Sequence, residues 1–176
     1  MKEHSINKED IESIHIVHSA GCRCTTEPLE EKQNPPTPEA AMFSNPYAIT
    51  HAIFTGDVYV DTYTEETFQR NMANPEFVEY MKRFIFAYDP SITTAFDNYP
   101  ITITLRNGQT FSKVEASLPG NQQNPVTWEQ VIQKFQKSQK FSAVDLGQKK
   151  YKKVIEICRN MENIDDMRCL VQAITP

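Results

Sequence analysis

Residues 100–118 read PITITLRNGQTFSKVEASL and carry the clearest β signal of the chain. Isoleucines at positions 101 and 103 and leucine at 105 alternate with polar residues, which is the period of a strand with one buried face. The Asn107-Gly108 pair that follows is typical of a tight turn between antiparallel strands. The stretch therefore predicts a β-hairpin.

A further strand is predicted upstream, in residues 11–19 (IESIHIVHS). Its alternate residues Ile14, Ile16 and His18 share one face. Residues 21–38 are polar and contain four prolines, so they predict a long ordered loop in extended conformations.

Five positions in the remaining chain carry residues that are typical of helix N-termini. Each combines a capping side chain with a proline, an acidic first turn or a capping-box partner: Thr37-Pro38, Ser44 or Asn45 before Pro46, Thr64, Asn74-Pro75, and Thr127 with Gln130. Gly56 is a good left-handed terminus for the helix that starts near Pro46.

The last third of the chain shows two apolar stripes at helical spacing. They are Tyr151, Val154, Ile155, Cys158 and Met161, and then Met167, Leu170, Val171 and Ile174. The sequence as a whole therefore predicts an α+β fold, in which a small antiparallel sheet with a β-hairpin is packed by helices and followed by a helical C-terminal tail.

Composition narrows the class of function. The 176 residues carry 18 basic and 23 acidic side chains, and a net charge of -5 gives little attraction for nucleic acid or an anionic membrane surface. No apolar run approaches the roughly 20 residues that cross a bilayer, and the N-terminus lacks a signal-peptide pattern. We expect a soluble, cytoplasmic protein whose four cysteines are reduced.

Two stretches carry a resemblance to a known family: residues 39–57 (EAAMFSNPYAITHAIFTGD) and residues 119–135 (PGNQQNPVTWEQVIQKF). They resemble the C-terminal region of the MmgE/PrpD family, which contains 2-methylcitrate dehydratase and cis-aconitate decarboxylase. The first stretch is similar to the family's EAxFSxxYAxAxALxxG pattern, and the second to its pattern of Gly, Pro, Ser or Thr, and Lys-Phe. The likeness runs from about Ile11 to the end of the chain.

The resemblance implies a division of the chain into three parts. Residues 1–10 would be a polar N-terminal extension, residues 11–141 an α/β lid-like domain, and residues 142–176 helices that pack on a helical domain. The apolar stripes of those last helices would then need a partner surface, supplied by a helical-domain subunit or by self-association.

The resemblance also implies an activity. Family members dehydrate, decarboxylate or epimerise small polycarboxylates without a metal or organic cofactor, and their acid-base residues lie mostly in segments that this sequence does not contain. We expect the chain to be a domain or subunit of such a lyase or isomerase, inactive alone. The alternative is a non-catalytic remnant or a stand-alone protein-interaction module.

Three residues are candidates for the site. Tyr47 matches the tyrosine of the family's FSxxY motif, and the resemblance implies a catalytic role for its phenol at a surface that faces the missing domain. His51 lies one helical turn further and could bind substrate from the same face. Arg23 could bind a substrate carboxylate with its guanidinium fork. Structural or surface roles are the alternatives for all three.

A zinc site is the remaining possibility, since His15, His18, Cys22 and Cys24 could supply four ligands. The two histidines point to opposite faces of the predicted strand, and the Cys-x-Cys spacing lacks the usual two-residue spacer. We therefore expect no metal.

Overall fold

The computed structural model describes residues 1–93, 99–115 and 118–175. Contacts divide the chain into two compact units, residues 1–124 and residues 125–176. Positions 116–117 of the predicted second hairpin strand lie outside the described residues, as does Pro176 of the predicted tail.

The N-terminal unit contains a four-stranded sheet in the order β2-β1-β3-β4. Its strands are β1 (Ile11–His18), β2 (Phe84–Tyr88), β3 (Tyr99–Leu105) and β4 (Thr110–Glu115). The pairs β1-β3 and β3-β4 are antiparallel, as predicted. The sheet is mixed overall, because β2 joins β1 in parallel. The α+β class is confirmed.

The alternation of β1 and the turn of the hairpin are both observed. Ile14, Ile16 and His18 are buried on one face of β1. Gly108 has a φ of 85°, which is accessible to glycine at little cost, and its N–H donates to the Leu105 carbonyl at 2.8 Å. The predicted β-hairpin is therefore confirmed.

Strand β2 is the strand that the sequence did not predict. It is a five-residue apolar run, FIFAY, which follows a helix directly and shows no alternation. It forms because Phe84, opposite Ile14, is buried with Tyr80 in the core beside β1. Only the tertiary fold supplies that partner strand.

Six helices cover the same unit within its described residues. They are α1 (Arg23–Thr26), α2 (Leu29–Gln33), α3 (Pro38–Met42), α4 (Asn45–Thr55), α5 (Glu65–Met72) and α6 (Pro75–Met81). The prediction of extended conformations throughout residues 21–38 is wrong, since α1 and α2 lie there. Pro28 directly precedes α2, where a proline does not interrupt helical hydrogen bonding.

The predicted helix boundaries of α3 and α4 are confirmed by their caps. The Thr37 hydroxyl accepts from the Ala40 N–H at 3.2 Å, and the Ser44 hydroxyl accepts from the Tyr47 N–H at 3.1 Å. Gly56 ends α4 in the left-handed conformation, with a φ of 87°.

Two apolar clusters form the core of the N-terminal unit. The sheet cluster contains Ile11, Ile14, Ile16, Tyr80, Phe84 and Leu105, and Met1 and Ile6 of the predicted extension pack against it. The helix cluster contains Ala41, Tyr47, Phe68, Phe77 and Met81. Phe54 contacts both, with its ring edge-on to Phe77 and to Tyr80 at centroid distances of 5.4 Å.

The C-terminal unit contains α7 (Trp128–Gln139), α8 (Gly147–Arg159) and α9 (Arg168–Ile174). The capping box at the start of α7 is present, as predicted. Helix α7 lies in this unit, where its Phe135 packs against the cluster of Val154, Ile157 and Ala173. The division into a lid-like domain and returning helices stays a prediction.

The predicted apolar strip of the tail is only partly exposed. Tyr151 and Val154 are buried within the C-terminal unit, whereas Met167, Val171 and Ile174 are 42%, 59% and 51% exposed. The expectation that the whole strip is uncovered is therefore wrong for Tyr151 and Val154, and Leu170 of α9 is also half-buried against the cluster of Val154, Ile157 and Ala173. No helix in the described part of the chain has the length and apolar character to cross a membrane.

Candidate functional site

Helix α4 positions two of the three candidate residues. Tyr47 and His51 are one turn apart, and their rings lie nearly parallel, with centroids 6.4 Å apart and an interplanar angle of 12°. The Ser44 cap and Pro46 in the first turn fix where this helix begins, and thereby the face on which both rings lie.

Tyr47 lies in the core, not at the surface. It is 0% exposed, its ring packs among Phe68 and Phe77, and its hydroxyl donates to the Thr62 carbonyl at 3.1 Å. Burial raises the pKa of Tyr47, against the opposing effect of a hydrogen bond from Asn71. The expected surface position is therefore wrong, because the ring completes the helix cluster. The catalytic role itself stays a prediction.

His51 is 7% exposed and accepts a hydrogen bond from Asn71, whose Nδ2 lies 3.0 Å from Nδ1 of the ring. Burial lowers the pKa of His51 below its ordinary value of 6.5. Asp61 and Asp57 act in the opposite direction, and Arg70 adds to the lowering. The structure therefore favours an uncharged imidazole at this position.

Asn71 connects these two residues and was not identified from the sequence. It lies on α5, is 8% exposed, and its Nδ2 is also 2.9 Å from the Tyr47 hydroxyl. The sequence contains one indication of its role, since asparagine is unfavourable inside a helix unless its amide has a specific partner. We call Tyr47, His51, Asn71 and Thr62 the α4–α5 network.

Arg23 has a different partner from the residues of this network. Its Nε and Nη2 both lie 2.8 Å from Oε2 of Glu27, one turn along the chain, and its guanidinium is 6.0 Å from the Tyr88 ring. No hydrogen bond or ion pair among the described residues joins Arg23 to Tyr47 or His51. Its proposed role in substrate binding stays a prediction.

A second polar group lies at the end of β1. The Nδ1 of His18 donates to the Ser19 carbonyl at 2.8 Å, and Nε2 is 3.3 Å from the Thr26 hydroxyl. The Cys22 thiol donates to the Tyr99 hydroxyl at 3.2 Å. These bonds give the polar atoms structural partners in a buried setting.

The four residues considered for zinc do not form a ligand set. Both ring nitrogens of His18 have protein partners, and Cys24 is exposed while Cys22 is buried. Across the described residues, no group of three or more His, Cys, Asp or Glu side chains could hold a metal ion.

The chemistry available at the α4–α5 network is that of a neutral hydrogen-bonding site. An uncharged imidazole can donate a hydrogen bond to an anionic oxygen or pass a proton, and its orientation is fixed by the amide that contacts it. Tyr47 has its hydroxyl bonded to a backbone carbonyl, so it supports the network from within the core.

The fold and the network together define an α+β domain that presents a hydrogen-bonded histidine on a helix of its larger unit. The family model of the MmgE/PrpD C-terminal domain matches residues 1–160. The chain therefore belongs to the MmgE/PrpD family, as its C-terminal domain. The match includes residues 1–10, the predicted polar N-terminal extension. Comparison with curated proteins finds no match.

Proposed function

We propose that this chain is the C-terminal domain or subunit of a lyase or isomerase that acts on small polycarboxylates, and that a helical domain completes its active site. The observation that carries the proposal is the family match over residues 1–160, which includes the whole of the α4–α5 network. Dehydration, decarboxylation and epimerisation are the reactions that the resemblance implies.

The proposed reaction requires more groups than the network provides. Removing a proton next to a carboxylate develops negative charge on oxygen, which needs a positioned base together with hydrogen-bond donors or cations. In our proposal His51 contributes a donor, Arg23 contributes a cation, and the helical domain supplies the base. No metal or organic cofactor is part of the proposal.

A partner surface for the C-terminal unit is also part of the proposal. Met167, which directly precedes α9, and Val171 and Ile174 of that helix are exposed apolar side chains. Clusters of this kind usually mark an interaction surface in a globular protein. The helical domain is the proposed occupant, and self-association of the chain is the alternative.

The test is isotope exchange and turnover with and without a helical-domain chain of the same family. The full chain, alone and mixed with that partner, is incubated in deuterated water with methylcitrate, cis-aconitate and aspartate-derived acids, and the substrates are examined by NMR. We expect deuterium incorporation or product only in the mixture. His51→Leu should lower the rate by roughly 10²-fold, because leucine has no hydrogen-bond donor for a developing oxyanion.

The matched control is His4→Leu, since His4 is an exposed histidine that contacts Phe111, outside the network. It should leave the rate unchanged. Absence of exchange and turnover in a mixture that forms a stable complex would contradict the proposed activity. The chain would then be a protein-interaction module, a function that the exposed apolar residues of α9 also favour.

A further inference from the structure

The hydrogen bonds of the α4–α5 network determine where each proton lies. The Tyr47 hydroxyl has one hydrogen, and the Thr62 carbonyl at 3.1 Å can only accept it. The hydroxyl must therefore accept from Asn71, whose Nδ2 is 2.9 Å away. This fixes the orientation of the amide, because its Oδ1 could not donate to Tyr47.

The second hydrogen of the same amide group then defines the tautomer of His51. Nδ2 of Asn71 is 3.0 Å from Nδ1 of His51, and an amide nitrogen only donates. Nδ1 must offer a lone pair, so the ring proton lies on Nε2. A doubly protonated ring would place two N–H donors against each other.

The surroundings of the ring agree with a neutral imidazole. The charged groups that face it are Asp57 after α4, Asp61 before α5 and Arg70 on α5. Their effects oppose one another, and burial is the largest influence on the pKa of His51, which it lowers.

The Nε2 atom retains access to solvent. Among the described residues, the buried side-chain nitrogen and oxygen atoms that have no hydrogen-bond partner are Thr50 Oγ1 and the Tyr80 hydroxyl. His51 Nε2 is not one of them, and the ring's hydrogen bond is at Nδ1. The Nε2–H group is therefore the donor of the ring that no described residue uses.

We propose that His51 is a neutral hydrogen-bond donor for an anionic oxygen of a carboxylate ligand, and that Asn71 and Tyr47 are positioning residues that hold it in the Nε2–H tautomer. The carboxylate class of the ligand rests on the proposed function. A neutral donor of this kind stabilises negative charge without transferring a proton. Because Nε2 already carries a proton, it cannot accept one from the substrate, so His51 is not the general base.

The experiment is nitrogen-15 NMR of the full chain labelled at histidine, near neutral pH, with tricarballylate as an unreactive tricarboxylate probe. We expect His51 in the Nε2–H tautomer, with a saturable shift of its Nε2 signal on addition of the probe. His18 is an internal reference, since its Nδ1 donates to the Ser19 carbonyl and its signals should not respond.

The decisive variant is Asn71→Asp, which preserves shape but replaces the donor with an acceptor. The introduced carboxylate would accept from Nδ1–H, so Nδ1 of His51 should become protonated, and its nitrogen-15 signal should move from the unprotonated to the protonated position. Asn71→Gln is the second variant, because it keeps the donor and tests whether an amide restores the tautomer. The His18 signals report whether each variant is folded.

Three results would overturn the inference. They are an Nδ1–H or doubly protonated His51 in the unmodified chain, no shift of Nε2 with tricarballylate, and an Nδ1 that stays unprotonated in Asn71→Asp. The proposed function fails separately, by lack of exchange or turnover with the helical-domain partner. A tautomer and probe response as expected, without turnover, would support His51 as a donor in a chain that is not part of a lyase.

Discussion

The hydroxyl of Tyr47 is a determinant of stability because it is buried with two partners. Tyr47→Phe leaves the Thr62 carbonyl and one hydrogen of the Asn71 amide without partners. We expect the free energy of unfolding to fall by about 1–3 kcal/mol, measured by urea denaturation.

The matched control is Tyr63→Phe. Its ring is 6.0 Å from that of Tyr47, and it is partly buried, so the change removes a hydroxyl next to the same cluster. It should change the free energy of unfolding by less than Tyr47→Phe does. If the two substitutions lowered the free energy of unfolding equally, the hydrogen bonds of the Tyr47 hydroxyl would add nothing to stability beyond the effect of removing any hydroxyl beside this cluster.

His51 makes stability depend on pH. Its pKa is lowered in the folded chain, so between the ordinary value of 6.5 and the lowered one the unfolded state binds more protons. The contribution of His51 to the free energy of unfolding should be fully present above pH 6.5, and it should decline as the pH falls toward the lowered pKa. His51→Gln should reduce the slope of the melting temperature against pH in this window, while His4→Gln keeps it. Parallel curves for the unmodified chain and His51→Gln would contradict this assignment.

Helix α4 depends on the cap that precedes it. The Ser44 hydroxyl accepts from the Tyr47 N–H and donates to the Lys32 carbonyl, and the residue is 2% exposed. Ser44→Ala removes both bonds and should cost about 1–2 kcal/mol of unfolding free energy, at the upper end of the usual range for caps. Chemical denaturation followed by circular dichroism measures the loss.

Thr37→Ala is the comparison for that prediction, since Thr37 caps α3 but is exposed. Its loss should be smaller, because water can replace the hydroxyl at the free N–H group. If the two alanine variants were equally stable, the bond from Ser44 to the Lys32 carbonyl would contribute nothing.

The elements that the sequence predicts well are those specified by neighbours along the chain. The Asn107-Gly108 turn, the Ser44 cap and the Gly56 terminus each depend on a few adjacent residues, and each is observed. Strand β2 and Asn71 depend on partners far away in sequence, which local patterns do not reveal. The surface position expected for Tyr47 failed for the same reason, because the aromatic cluster that buries it comes from α5 and α6.

The exposed apolar side chains of α9 lead to a prediction for the whole chain. Without a helical partner, we expect concentration-dependent self-association, measured by analytical ultracentrifugation. The double substitution Val171→Lys with Ile174→Lys should weaken it by placing charge on the interface. Val60→Lys is the control, since Val60 is 56% exposed in the N-terminal unit. A monomer at every concentration would contradict the prediction.

The pairing of β1 also determines the order in which the chain can fold. Its partner strands β2 and β3 begin at Phe84 and Tyr99, so a ribosome must synthesise the helices α1 to α6 before β1 can join any sheet. Contacts this distant in sequence form slowly, whereas helices form from local contacts. During synthesis, the apolar side chains of Ile11, Ile14 and Ile16 therefore remain exposed until the partner strands have been made. We expect this exposed segment to be a binding site for a chaperone.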